Sequence, residues 1–182
     1  MIEARTKIII DYARWTVLSA LRSGSPVKSR KEVYGLLDKV DFAKVLRGKS
    51  PTSTDEFNAW HRAEVQKLHK LRRALGAGWA AKMINIYLKT AVYVGDLGRP
   101  GLRKAIHPPI DSRLLGRLRK CFPDLFKEKK KVHRIKEIRE YFTYKEIIEK
   151  CRLIAEEMHC SLIEVDQFWD EAQPCPNQRS MQ

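Results

Sequence analysis

Four Ser/Thr-x-x-Glu pairs divide the chain into segments in which apolar residues recur every three or four positions. These pairs are Ser29–Glu32, Ser53–Glu56, Thr143–Glu146 and Ser161–Glu164. The hydroxyl of such a pair accepts a hydrogen bond from a backbone N–H of the first turn, and the Glu side chain returns one, so each pair predicts a helix start. Strand-like alternation does not recur along the chain. We therefore predict a compact all-α domain of seven to nine helices.

The spacing of apolar residues also predicts which helix faces are buried. On the first helix the predicted core-facing stripe consists of Ile8, Tyr12, Trp15, Leu18 and Leu21. The helix opened by Ser53 is predicted to end at the glycines of Gly76-Ala77-Gly78, because a glycine readily terminates a helix. The next segment, 79–94, is the most apolar one and is predicted to be central to the core. In the last helix Val165, Phe168 and Trp169 are predicted to face inward.

Breaks in these patterns suggest the domain organisation. We expect an N-terminal helical subdomain over residues 1–50 and a main helical domain over residues 51–170. Residues 171–182 are polar and contain two prolines, which predicts a disordered tail.

The chain is strongly basic, which favours a polyanionic partner. Lys and Arg number 36 against 22 Asp and Glu in 182 residues, a net charge of +14. We predict that the partner is nucleic acid, with DNA the first choice and RNA an alternative. Two other interpretations stay open: a basic protein that is merely soluble, and one that binds an anionic membrane surface.

Eleven basic residues lie between Arg113 and Arg139, and the predicted nucleic-acid contacts among them are Arg113, Arg117, Lys120, Lys129, Lys130, Lys131 and Arg134.

Cysteine usage and hydropathy suggest the compartment. The four cysteines follow no CxxC spacing and pair with no regular histidine pattern, which argues against a zinc site. No stretch approaches the roughly 18 apolar residues of a membrane span. We therefore expect reduced thiols, no metal, no cofactor and no membrane partner in a cytoplasmic protein.

Two charged residues stand out for chemistry. Lys82 lies among apolar residues in GAGWAAKMINIYLKT, and Asp111 follows two prolines in HPPIDSRLLGRL. An Asp in that place is a natural N-cap, and a lysine in an apolar helix can extend its stem along the core to solvent. Alternatively, a desolvated lysine becomes a nucleophile because burial lowers the pKa of an amine.

The order of these motifs resembles the helix-hairpin-helix and Gly/Pro/Asp superfamily of DNA glycosylases. A glycine turn precedes an apolar helix with a lysine, and Pro-x-Asp then opens a basic helix; within the superfamily this is most similar to the 8-oxoguanine glycosylases of archaeal type. The resemblance covers roughly residues 55–169 and includes the downstream stretch IAEEMHCSLIEVDQFWD. It implies a helix-hairpin-helix glycosylase fold and a DNA-repair activity.

The resemblance also assigns roles to individual residues. Lys82 is implied to attack the sugar C1′ and form a Schiff base, and Asp111 to stabilise the positive charge that develops on the sugar. The backbone N–H groups of Gly76 and Gly78 are implied to contact phosphate. Base flipping needs an aromatic pocket, for which the candidates are Trp60, Trp79 and Tyr87.

The chain departs from the superfamily pattern at the hairpin. A regular hairpin reads Leu-Pro-Gly-x-Gly with the lysine two positions later, whereas Leu75-Gly76-Ala77-Gly78 is one residue shorter and Lys82 follows Gly78 by four. Lys89 is therefore an alternative nucleophile. The alternative function is a non-catalytic nucleic-acid-binding helical protein in which Lys82 is only a structural stem.

Overall fold

Eight α-helices make up most of the computed structural model, which describes residues 3–21, 24–127, 132, 134–170, 172 and 175–176. The helices are α1 (Ala4–Ala20), α2 (Arg30–Leu37), α3 (Ala43–Leu46), α4 (Thr54–Leu71), α5 (Gly76–Leu88), α6 (Leu102–Ala105), α7 (Ser112–Cys121) and α8 (Tyr141–Glu157). A π-helical stretch, Lys89–Val94, continues α5, and 3-10 helices span Arg73–Leu75, Pro123–Phe126, Ile135–Glu137 and Leu162–Trp169. Within the described residues there is no strand, which confirms the all-α prediction.

Three of the four predicted helix starts are confirmed. The hydroxyls of Ser29 and Ser53 accept hydrogen bonds from the backbone N–H groups of Glu32 and Glu56. Ser161 and Glu164 form a reciprocal capping box, although the helix that follows is 3-10 rather than α. The prediction at Thr143 is wrong, because α8 already begins at Tyr141.

Helix α5 is the centre of the molecule, as its composition predicted. All thirteen of its residues are buried, and it packs against α1, α4, α8 and the 3-10 helix at Ile135–Glu137. One hydrophobic core runs from Ala13 to Cys175. Residues of the predicted N-terminal subdomain and of the predicted main domain thus pack together in that core.

The predicted buried face of α1 is wrong for Ile8, Tyr12 and Trp15, which are exposed. Leu21 is buried as predicted, but it belongs to a second stripe in which Ala13, Val17 and Leu21 recur every four residues. Both stripes have helical spacing, so periodicity alone does not choose between them. The packing of α1 against α5, α2 and the π-helical stretch selects the stripe with Ala13 and Val17 for burial.

The glycines Gly76 and Gly78 do not end α4 but open α5. Helix α4 stops at Leu71, and a 3-10 turn carries the chain to Gly76, whose φ of 56° is strained for other residues. A Cβ on Gly78 would lie 2.4 Å from the carbonyl oxygen of Ile135. Glycine is required here because the backbone at residues 135–139 crosses the start of α5.

The expectation of reduced thiols is wrong for two of the four cysteines. Cys121, the last residue of α7, forms a disulfide with Cys175, while Cys151 and Cys160 are free. Their separation of 54 positions leaves no local sequence signal for this pairing. The predicted disordered tail falls largely on residues outside the described ones, but Cys175 itself is buried.

Candidate active site

The structure brings Lys82 and Asp111 together. Lys82 projects from the middle of α5, and its Nζ lies 3.1 Å from Oδ2 of Asp111. The two side chains are only 10% and 17% exposed, so the ion pair is largely withdrawn from water. A partly buried pair is stronger than an exposed one because the surrounding dielectric is lower.

Asp111 is held in place by three donors. Its Oδ1 accepts a hydrogen bond of 2.9 Å from the backbone N–H of Leu114 and thereby caps α7. Its Oδ2 accepts one from Lys82 and one of 3.1 Å from the indole Nε1 of Trp169. The carboxylate therefore has a fixed position at a helix N-terminus, where the helix dipole favours a negative charge.

The Lys82–Asp111 pair lies in an open cleft of about 1140 Å³. That volume is slightly above the range of roughly 300–1,000 Å³ that is usual for small-molecule sites. Tyr12 and Thr16 of α1 line the cleft, and so do Arg134 and Lys136. The cleft thus combines a recessed amine, a carboxylate, aromatic rings and basic side chains.

A second lysine–aspartate pair lies in the same cleft. Lys89 forms an ion pair with Asp166, and both side chains line the cleft. Lys89 follows Lys82 by two helical turns and begins the π-helical stretch, a distortion that is frequent at functional sites. Burial raises the pKa of Asp166, and the nearby charge of Lys89 opposes that shift. Asp166 was not predicted as a site residue, although it lies in the stretch IAEEMHCSLIEVDQFWD.

Trp169 belongs to the cleft rather than to the core. Val165 and Phe168 are buried as predicted, but the Trp169 ring is exposed and its indole N–H reaches Asp111. The guanidinium of Arg113 lies 4.1 Å from the centroid of the Trp169 ring, a cation–π contact. The inward prediction for Trp169 is wrong because the 3-10 helix turns its last residue toward the N-terminus of α7.

Only one of the three predicted base-pocket aromatics lines the cleft. Trp79 does, with its ring 5.5 Å from the Lys82 ammonium. Trp60 is buried in the core, where its Nε1 donates to the carbonyl of Asp41. Tyr87 is also buried and stacks on Phe42 at 3.8 Å. The predictions for Trp60 and Tyr87 are wrong because neither ring lines the cleft that contains Lys82.

The glycine amides have other partners than phosphate. The N–H of Gly76 donates to the carbonyl of Arg73, and that of Gly78 donates to the carbonyl of Ile138 at 2.8 Å. Both glycines are buried. The predicted phosphate contact at Gly76 and Gly78 is therefore wrong, since the N–H of Gly76 is used by the preceding 3-10 turn and that of Gly78 by the crossing segment.

The predicted basic contacts divide into two groups. Arg113 and Arg134 line the cleft. Arg117 and Lys120 follow Arg113 at helical spacing along α7, which extends this basic face away from the cleft. Lys129, Lys130 and Lys131 lie outside the described residues.

A buried polar network connects α4, α5 and α8 behind the cleft. Asn85, one turn after Lys82, donates to the carbonyl of Pro108 at 3.2 Å and to the hydroxyl of Tyr144 at 2.8 Å. Its amide oxygen accepts from Nε2 of His61 at 2.9 Å. Since Pro108 precedes Asp111 by three residues, Asn85 ties the segment that presents the aspartate to the helix that presents the lysine.

Both histidines of this network are held in the neutral form. Nδ1 of His61 lies 3.0 Å from the Tyr141 hydroxyl, and Nδ1 of His107 lies 3.0 Å from the Tyr144 hydroxyl. Burial lowers the pKa of His61 to about 4 and places the pKa of His107 well below its ordinary value. The ring nitrogens can therefore accept from the tyrosines. The sequence does not predict this network, because the hydrogen-bond partners of the two histidines lie 24 to 80 positions away.

The described part of the chain contains no cluster of three or more His, Cys, Asp or Glu residues that could hold a metal ion. In the same residues, none of the helices combines the length and apolar character that crossing a membrane requires. Comparison of the chain with protein-family models, with curated proteins and with solved structures finds no significant match.

Proposed function

We propose that the protein is a lyase-type DNA glycosylase that removes a damaged or modified base through a lysine Schiff base. The observation that carries this proposal is the Lys82–Asp111 pair, a recessed amine 3.1 Å from a carboxylate fixed at a helix N-terminus in an open cleft. A helix-hairpin-helix glycosylase fold and a role in DNA repair belong to the same proposal.

Lys82 supplies the nucleophile in this mechanism. Once its ammonium has lost a proton, Nζ forms a bond to C1′ of the sugar while the bond between C1′ and the base breaks. The electron pair of that bond leaves with the base, which takes up a proton. Asp111 stabilises the positive charge on the sugar and accepts a proton from the nitrogen once it is bonded to C1′. The bond between C1′ and the ring oxygen O4′ then breaks, O4′ keeps the electron pair and takes up a proton, and the C1′–N bond becomes the Schiff base.

Lys82 fits this role better than Lys89. The Lys82 side chain is 10% exposed, while that of Lys89 is 40% exposed. The partner of Lys82 is a helix cap with three donors, whereas the partner of Lys89, Asp166, is a partly buried carboxyl whose pKa is raised by burial. Lys89 and Asp166 instead offer one donor and one acceptor to the polar edge of a base in the cleft.

The rings of the cleft provide a surface for a base outside the duplex stack. Most of this surface belongs to Trp169, which is 43% exposed and is fixed to Asp111 by its indole N–H, while Trp79 lines the cleft beside Lys82 but is only 5% exposed. Flipping a nucleotide costs a few kcal/mol of unstacking, which contact with aromatic faces offsets. Arg113 and Arg134 at the same cleft would neutralise the phosphates on either side.

A passive nucleic-acid-binding protein is the second candidate. It is favoured by the net charge of +14 and by the ion pair itself, which could serve only to join α5 to α7. DNA is the proposed partner and RNA the alternative. Salt-sensitive binding is expected of both candidates, so it does not separate them.

Borohydride trapping on a duplex with one abasic site separates the two candidates without knowledge of the base. The wild-type protein is expected to form a covalent complex, Lys82→Gln to form none, and Lys89→Gln to retain it. All three proteins should bind an unreactive duplex within a few-fold of one another. Absence of trapping by the wild type, with binding intact, would identify the passive protein.

A further inference from the structure

Helix α1 presents an exposed apolar stripe to solvent. Ile8, Tyr12 and Trp15 follow one another at helical spacing, and the two aromatic side chains are 54% and 49% exposed. Their rings are stacked, with centroids 5.6 Å apart and planes at 17°. We call Tyr12 and Trp15 the aromatic ledge. Contiguous exposed apolar surface of this kind usually marks an interaction site.

The aromatic ledge is continuous with the cleft. Tyr12 and Thr16 line the same cleft as Lys82, and Trp15, which is not part of that lining, stacks on Tyr12. Tyr12 also borders a shallow groove of about 500 Å³ with Ile8 and Val94. A molecule that extends out of the cleft along α1 therefore meets the aromatic ledge first.

The charges around the aromatic ledge favour a polyanion. Arg134 and Lys136 lie on the cleft wall, and Arg5 lines the shallow groove. The nearest carboxylate on α1, Asp11, is already paired with Lys7 at 2.6 Å. Flat rings bordered by cations are the features that bind unpaired nucleotides, because every base has a face that can stack and every phosphate is an anion.

We infer that the aromatic ledge binds unpaired nucleotides next to the one held in the cleft. A base inside a duplex has both faces covered, so the aromatic ledge can stack only on a base that has left the helix. The preferred substrate is therefore single-stranded, looped or bulged at the target. This inference rests on the proposed function only in taking a nucleic-acid strand as the occupant of the cleft.

Binding without chemistry tests the inference. The probes are a single strand of about 15 nucleotides with one tetrahydrofuran abasic analogue, and the same strand fully paired. Tyr12→Ala and Trp15→Ala are each expected to weaken single-strand binding about tenfold, within the range measured for stacked aromatic residues, and duplex binding less than twofold. Phe142→Ala is the matched control, because that ring is also exposed, at 70%, but lies outside the cleft. It should change neither affinity.

Several results would overturn the inference. One is unchanged single-strand affinity in both variants, and another is an equal loss on single strand and duplex. Loss of self-association, or of binding to phosphatidylcholine–phosphatidylserine vesicles, without loss of single-strand affinity would assign the aromatic ledge to another occupant. These binding probes cannot form a Schiff base, so a failure of borohydride trapping would not change their affinities. The glycosylase proposal and the inference about the aromatic ledge can therefore be contradicted independently.

Discussion

Asp111 divides its two carboxylate oxygens between two tasks. Oδ1 caps α7 through the N–H of Leu114, while Oδ2 faces Lys82 and Trp169. A helix cap requires only the contact of Oδ1 with the backbone N–H, and an ion pair with Lys82 requires only the contact of Oδ2 with the ammonium. Because the tasks use different atoms, substitutions can separate them.

Asp111→Asn is expected to keep the cap and lose the chemistry. Asparagine caps helices about as well as aspartate, but it is neutral and cannot take a proton from the amine. The trapping rate should fall on the order of 100-fold, comparable to the loss of one key electrostatic group in other active sites. Asp111→Ala should lose a further ~1 kcal/mol of stability with the cap. Single-turnover trapping and urea unfolding measure both effects, and a wild-type rate for Asp111→Asn would remove Asp111 from the mechanism.

The buried histidines should make stability depend on pH. Their folded pKa values are lowered, so the unfolded chain binds more protons between about pH 6.5 and 4, and the free energy of unfolding falls as the pH drops through that window. For His61, a pKa of about 4 against 6.5 corresponds to about 3 kcal/mol at pH 4. Urea unfolding from pH 7.5 to 4.5 measures this slope. His61→Gln should make the slope smaller by the contribution of His61 and leave that of His107, and an unchanged slope in that variant would contradict the assigned neutral state of His61.

At the scale of elements, the junction between α4 and α5 depends on close backbone packing. The segment at residues 135–139 crosses the start of α5 and accepts hydrogen bonds from Ala77 and Gly78. This crossing orients the helix that carries Lys82. The glycines thus act through packing, and their N–H groups donate to backbone carbonyls.

Gly78→Ala is expected to destabilise the protein by about 1–3 kcal/mol, because the new Cβ would lie 2.4 Å from a backbone oxygen. Gly116→Ala is the matched control. Gly116 is also helical but has no heavy atom within 4 Å of the added Cβ, so the change should stabilise α7 by up to about 1 kcal/mol. Thermal or urea unfolding measures both variants. Equal effects at the two positions would contradict the crossing at Ile135.

The disulfide joins the end of α7 to the segment that follows Trp169. Closure of a loop of 54 positions corresponds to about 4 kcal/mol in the chain-entropy account. Reductant should therefore lower the unfolding free energy of the wild type, and Cys175→Ser should be equally unstable with or without it. Cys160→Ser, which removes a free thiol, should stay sensitive to reductant. An insensitive wild type would argue against this bond in solution and would favour the reduced thiols expected of a cytoplasmic protein.

Elements were predictable from sequence where their signals are local. The serine caps and the composition of α5 act within a few residues, and they gave correct helix starts and the correct central helix. The exposed face of α1 was missed because two periodic stripes compete and only packing against α5 selects one. At the site, Lys82 and Asp111 were found through motif order, but Asp166 and Trp169 were not assigned to the site because their partners lie 77 and 58 positions away.

At the scale of the whole molecule, the proposed functional residues come from segments distant in sequence and line one cleft. Helix α1 contributes Tyr12 of the aromatic ledge, and α5 and the π-helical stretch contribute Lys82 and Lys89. The start of α7 contributes Asp111, and the last 3-10 helix contributes Asp166 and Trp169. The net charge of +14 attracts a polyanion to this molecule as a whole. The identity of the amine that reacts is then the point on which the glycosylase proposal depends.

Peptide mapping of the borohydride-trapped complex tests that point most directly. Trypsin cuts after Arg73, Lys82 and Lys89 in the free protein, and a sugar adduct on a lysine blocks the cut. The glycosylase proposal predicts that the adduct is found on the uncut peptide Ala74–Lys89, with its mass on Lys82. An adduct on a peptide that begins at Met83 and continues past Lys89, or on no residue of the cleft, would contradict it.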